Sequence, residues 1–192
     1  IIKKLKTIIK EIDLIIFSDF NYGVLPQNLV DDITKLAKNN KVMIAADSQS
    51  SSQTGDISRF LNVDLISPTE REARLSLRDN QMGLVSLSKS LLDKTSARNI
   101  LLKLGEEGIL VHPGKANLSN EVTDRIGALN QSPKDVAGAG DSLLVSSSLA
   151  LLCESNIWEA AYIGSIAAAI QVGRVGNSPM QANEILNHLS KQ

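Results

Sequence analysis

The segment Lys134-Asp135-Val136-Ala137-Gly138-Ala139-Gly140-Asp141-Ser142 holds the most legible chemistry in this chain. Gly138, Ala139 and Gly140 are small and run straight into an apolar stretch with helical character. A backbone free of bulky side chains can turn consecutive N–H groups outward, and a helix N-terminus adds partial positive charge. Together they make an anion-binding cup, suited to a phosphate or to the charge that develops during phosphoryl transfer. Glycine also lets an anion approach the backbone closely. Asp141 lies in the first helical turn and has two readings. It is an aspartate favoured there by the helix dipole, or it is a general base that takes the proton from a hydroxyl attacking a phosphoryl group in the cup. No Walker-type Gly-Lys-Ser/Thr occurs.

The other candidates fall at the ends of apolar runs. Residues 13–18, 41–46, 63–67 and 99–103 read as buried strands, and 109–112 follows a Gly105-Glu106-Glu107-Gly108 turn as a hairpin strand. Asp19 and Asp47 sit just past the first two runs, at the strand ends where ligands gather in open α/β sheets. Each is a substrate or phosphate contact, or a cap on the turn that follows. Lys103 neutralises phosphate or is a solvated strand-end lysine. Between the strands lie helical patterns: one opened by Pro26 and ended by Asn39-Asn40, then 69–77, 83–96, 141–154, 156–173 and 181–190. Residues 117–130 suit one or two edge strands. The alternation predicts an α/β fold, a mostly parallel sheet flanked by helices with an antiparallel hairpin at one edge, in a single domain over residues 1–192.

Bulk properties narrow the function. The 192 residues are 43% hydrophobic but only 3% aromatic, so the core rests on Ile, Leu, Val and Ala. With 20 basic and 21 acidic residues the chain has no electrostatic footprint for nucleic acid. No apolar run reaches the roughly 18 residues that span a bilayer. Two histidines and one cysteine argue against zinc. His112 reads as a strand residue, His188 as a surface one, and Trp158 and Cys153 as packing residues. A lone cysteine cannot form an internal disulfide, which fits the cytoplasm.

Asp135-Val136-Ala137-Gly138-Ala139-Gly140-Asp141 resembles the D-T-x-G-A-G-D signature of the ribokinase-like (PfkB) carbohydrate kinases. Ser18-Asp19-Phe20-Asn21-Tyr22-Gly23-Val24-Leu25 resembles the S-D-Y-x-K-G-V-L segment of the heptose-7-phosphate kinase branch. Ser67-Pro68-Thr69-Glu70-Arg71-Glu72 is similar to P-N-x-x-E, and Lys103-Leu104-Gly105-Glu106-Glu107-Gly108 to T-x-G-x-x-G. The resemblance implies a ribokinase-like fold and ATP-dependent phosphorylation of a sugar or sugar phosphate. It implies Asp141 as base, Gly138, Ala139 and Gly140 as anion hole, and Glu72 as a magnesium contact through water. Lys103, Gly105 and Gly108 would lie along the ATP phosphates and ribose. Ala168, Val172 and Asn177 would line the adenine pocket, and Asp135 would stand near a monovalent-cation site such as one for K+.

Departures from the pattern are Val136 for threonine, Thr69 for asparagine, Tyr22 for lysine, and Asp47-Ser48-Gln49 for D-P-K. The family's N-terminal half and lid have no counterpart, so the chain is expected to be a piece with little activity alone, and a homodimer, if formed, to need the longer protein. The alternative is a nucleotide-binding or regulatory domain without catalysis.

Overall fold

In a computed structural model the chain is described over residues 1–50, 53–114 and 123–190. Among the described residues six strands form one sheet in sequence order: β1 (Leu14–Asp19), β2 (Met43–Ser48), β3 (Leu65–Ile66), β4 (Asn99–Lys103), β5 (Ile109–Pro113) and β6 (Asp124–Ile126). β1 to β4 run parallel, while β5 and β6 turn back antiparallel. The expected mixed sheet is therefore present. The helices are α1 (Ile2–Ile8), α2 (Gln27–Asn39), α3 (Glu70–Leu77), α4 (Leu84–Thr95), α5 (Ala139–Leu152), α6 (Ile157–Val172) and α7 (Ala182–Leu189).

Alternate strand residues point to opposite faces, and both faces are covered. Phe17, Ile44, Ala46, Ile66, Ile100, Leu102 and Leu110 pack against α1 to α4. Ala45, Leu65, Leu101, Ile109 and Val111 pack against α5 and α6. A strand buried on both sides reads as a continuous apolar run, which is why the strands were legible without period-two patterning.

Three details differ from the sequence expectation. β3 is two residues rather than five, although Asp64 and Ser67 on either side of it still donate to the Ile44 and Ala46 carbonyls of β2. Helix α5 begins at Ala139, two residues before its expected start, because Gly138 takes φ +78° and forms its N-cap. Cys153 is exposed, not packed, because it is the cap residue just past the end of α5 at Leu152. Of the expected edge strands, β6 is present, and residues 117–122 lie outside the described residues. No described helix is long and apolar enough to cross a membrane.

Candidate functional site

Parallel pairing brings the C-terminal ends of β1, β2, β3 and β4 to one edge, and the N-terminus of α5 meets them there. Gly138 has a left-handed backbone, and a Cβ on it would collide with the Asn177 side chain. The Ala139 amide closes a turn on the Val136 carbonyl at 3.3 Å, and Ser142 makes the first ordinary helical bond, to the Gly138 carbonyl at 2.9 Å. The amides of Gly140 and Asp141 between them donate to no acceptor among the described residues, as first-turn amides do unless capped. No side chain caps this helix. The cup thus presents two free amides, with Ala139 serving its turn. Asp141 stands half-buried beside them, and its carboxylate enters no hydrogen bond or ion pair recorded for the described residues.

Lys103, at the end of β4, reaches the same place. Its Nζ would lie 3.2 Å from a Cβ placed on Gly140. The ammonium donates to Asp47 Oδ2 at 2.9 Å. Asp47 is 1% exposed. Burial pushes its carboxyl above the usual range, the neighbouring Glu72 carboxylate adds to the rise, and Lys103 opposes both. Glu72 is buried too. Its Oε2 accepts the Thr69 N–H at 2.7 Å and its Oε1 the Ser50 N–H at 3.0 Å. Thr69 returns the bond by capping the Glu72 amide, a reciprocal box at the start of α3. Threonine at position 69 therefore anchors Glu72, a role that asparagine also fills.

The closing segment after α6 is tied to the glycine loop by two side chains. Asp135 accepts the Ala137 N–H at 2.9 Å and the Gly176 N–H at 3.0 Å. These two amides hold its carboxyl below the usual carboxylate range. Gln171, 1% exposed, donates from Nε2 to the carbonyls of the same two residues, at 3.1 and 3.0 Å. The backbones of Ala137 and Gly176 are thus clamped on both their donors and their acceptors.

Residues 2–183 match the description pfkB family carbohydrate kinase. The chain belongs to the pfkB family. It is 30% identical over 195 residues to the bifunctional protein HldE of Campylobacter fetus subsp. fetus, covering all of this chain and 40% of that protein. With HldE of Helicobacter pylori it shares 32% over 180 residues, 92% of this chain and 37% of the relative. The chain thus spans about two-fifths of these relatives. Among solved structures it resembles Escherichia coli phosphofructokinase-2 in complex with potassium, with TM-score 0.78 and 14% identity over 99% of this chain and 61% of that one. Ribokinase from Giardia lamblia gives TM-score 0.75 and 22% identity, over 97% and 63%. The fold is ribokinase-like.

Within this pfkB fold the predicted residues divide. Gly138, Gly140, Asp141 and Lys103 come together at the cup, with Asp47 and Glu72 directly behind them. Asp19 stands apart in an ion pair with Arg59 at 2.7 Å, its second oxygen capping the Asn21 amide at 2.9 Å. Gly105 and Gly108 both have positive φ, but a Cβ on Gly108 would strike the Ile126 backbone, so this glycine is needed by the sheet itself. Ala168 lines the α6 side of the core, Val172 accepts the Lys134 and Asp135 amides, and Asn177 abuts Gly138.

Sequence reasoning missed Arg59 and Gln171. Arg59 reaches Asp19 and the Leu25 carbonyl, contacts that join distant loops and leave no local signal, and its guanidinium lies 4.9 Å from the ring centroid of its neighbour Phe60. Gln171 did leave one: it is the single polar side chain in Ile166-Ala167-Ala168-Ala169-Ile170-Gln171-Val172.

Proposed function

We propose that this chain carries the nucleotide-binding and catalytic part of a kinase that transfers the γ-phosphoryl group of ATP to a hydroxyl of a sugar or sugar phosphate. The observation that carries the reading is the free carboxylate of Asp141 beside the free amides of Gly140 and Asp141 at an uncapped helix start. The amides offset charge on the transferring group, and Asp141 takes the proton of the attacking hydroxyl. Lys103 and the turn at Gly105 lie toward the ATP phosphates, and Ala168, Val172 and Asn177 toward the base. The resemblance of residues 18–25 to heptose-7-phosphate kinases, together with the HldE relatives, supports a heptose phosphate as acceptor.

Glu72 suits magnesium held through water. Each of its oxygens is fixed by one backbone N–H, which leaves lone pairs for a hydrated ion. Magnesium would spread the charge of the phosphates. Asp135 suits a nearby monovalent cation such as K+, because the Gln171 Oε1 near it is a buried acceptor with no partner among the described residues. Because the chain spans about two-fifths of its HldE relatives, we propose that acceptor binding and any homodimer draw on sequence outside these 192 residues.

The test is transfer of labelled γ-phosphate from MgATP to a panel of sugars and sugar phosphates by the full-length protein. Transfer to at least one is expected. Nucleotide binding with no transfer to any of them favours a regulatory domain instead. The Asp141→Asn variant should lose turnover by about a hundredfold or more, the range general-base catalysis supplies, with ATP affinity kept.

A further inference from the structure

We propose that Asp47 is a positioning residue: its buried carboxylate holds the Lys103 ammonium against Gly140, making Lys103 the side-chain cation of the phosphate cup. The inference rests on the kinase reading above and gives Asp47 a role other than contact with the acceptor.

Asp47 cannot offer itself to a sugar. It is 1% exposed, Oδ1 accepts the Ser48 N–H at 3.0 Å, and Oδ2 accepts Lys103 Nζ at 2.9 Å. Lys103 is in the opposite position. An ammonium carries three donors, and among the described residues only the one given to Asp47 has an acceptor. The same Nζ stands beside Gly140, and Lys103 also lines, with Thr69, Arg71 and Gly105, a cavity of about 570 Å³ next to the cup. The unspent ammonium donors therefore gather where the Gly140 and Asp141 amides also lack acceptors. Apart from the Asp141 carboxylate, assigned above to the attacking hydroxyl, the unpaired groups gathered there are donors, and they match a ligand that brings acceptors only, as a phosphate does.

Holding matters because lysine is a flexible stem that loses rotamer freedom when fixed. With its tip tied to a carboxylate the structure itself keeps buried, that loss falls on folding and not on nucleotide binding. Glycine at 140 is part of the arrangement, since any side chain there would meet the ammonium. Asp47 and Lys103 sum to zero charge. Phosphate is gripped through oriented donors in a partly buried place, which salt screens far less than an exposed lysine.

The experiment compares binding of ADP and adenosine to the full-length protein and to its Lys103→Met, Asp47→Asn and doubly substituted forms, by calorimetry. Lys103→Met and Asp47→Asn should each weaken ADP by about tenfold or more, the effect of losing a charge-assisted hydrogen bond. Adenosine should stay within about twofold in both, since only the phosphate contacts are altered. In the Lys103→Met background Asp47→Asn should add nothing, because its target is gone. If Asp47→Asn does not fold, Lys103→Met and Lys103→Arg decide alone: the first should lose ADP, and the second, which keeps the pair, should retain most of it.

Several results overturn the inference while leaving the kinase reading in place. Equal weakening of adenosine and ADP makes Asp47 merely structural. A full additional loss in the double variant makes it independent of Lys103. A change in acceptor KM alone makes it a substrate contact. ADP binding undiminished in Lys103→Met removes the lysine from the cup. An unaltered protein that binds neither ADP nor ATP overturns the kinase reading and this inference with it.

Discussion

Each residue of the cup answers to a constraint beyond its own chemistry. Gly138 must be glycine twice over, for its positive φ and for the Asn177 side chain against it. Gly138→Ala should cost about 1–2 kcal/mol in urea unfolding from the left-handed backbone alone and should push Asn177 from its place. Asp135 carries a pH signature. Its two backbone hydrogen bonds lower its folded pKa below the unfolded value of 3.8, so its stabilising effect is present above that value and is lost as pH falls through the lower, folded one. Amide hydrogen exchange at Gly176 should accelerate across that acid window. In Asp135→Asn it should be fast at every pH. No change in exchange across the window would break the link between this carboxylate and the closing segment. At this scale Gly138, Gly140 and Asp141 are grouped by adjacency alone. Asp47 and Lys103, 56 residues apart, could be suspected one by one but not paired.

Elements were more legible than contacts, for a physical reason. Leu101 and Ile100 face opposite helical layers, so a run such as Asn99-Ile100-Leu101-Leu102-Lys103 is apolar throughout and stands out by composition. Leu101→Ala should cost about 2–5 kcal/mol, the range for a fully buried leucine, as a shift in the chemical-denaturation midpoint. The Thr69 cap tests a smaller effect. Thr69→Ala should lose about 1 kcal/mol of stability and should also loosen Glu72, whose Oε2 accepts the Thr69 amide. Element ends were less legible. β3 is two residues long although Asp64 and Ser67 still bond to β2 on either side of it, and Cys153 is exposed because it is the cap residue just past the end of α5. Neither end is written in hydrophobic pattern.

Across the whole molecule, the parallel strands converge on one edge and α5 is aimed at it, so that residues from β2, β4, α3 and α5 meet within one site. Asp19, expected near a substrate, is taken up by Arg59 and Asn21. The proposal that acceptor binding belongs to the longer protein predicts that residues 1–192 alone bind ATP yet phosphorylate no sugar, checked by labelled-phosphate transfer beside the full-length protein. The most direct measurement is a crystal structure of the full-length protein with ADP and its acceptor. The account predicts the β-phosphate within hydrogen-bond reach of the Gly140 and Asp141 amides, and the acceptor hydroxyl against the Asp141 carboxylate. A nucleotide bound elsewhere, or an Asp141 carboxylate turned away from the acceptor, would contradict it.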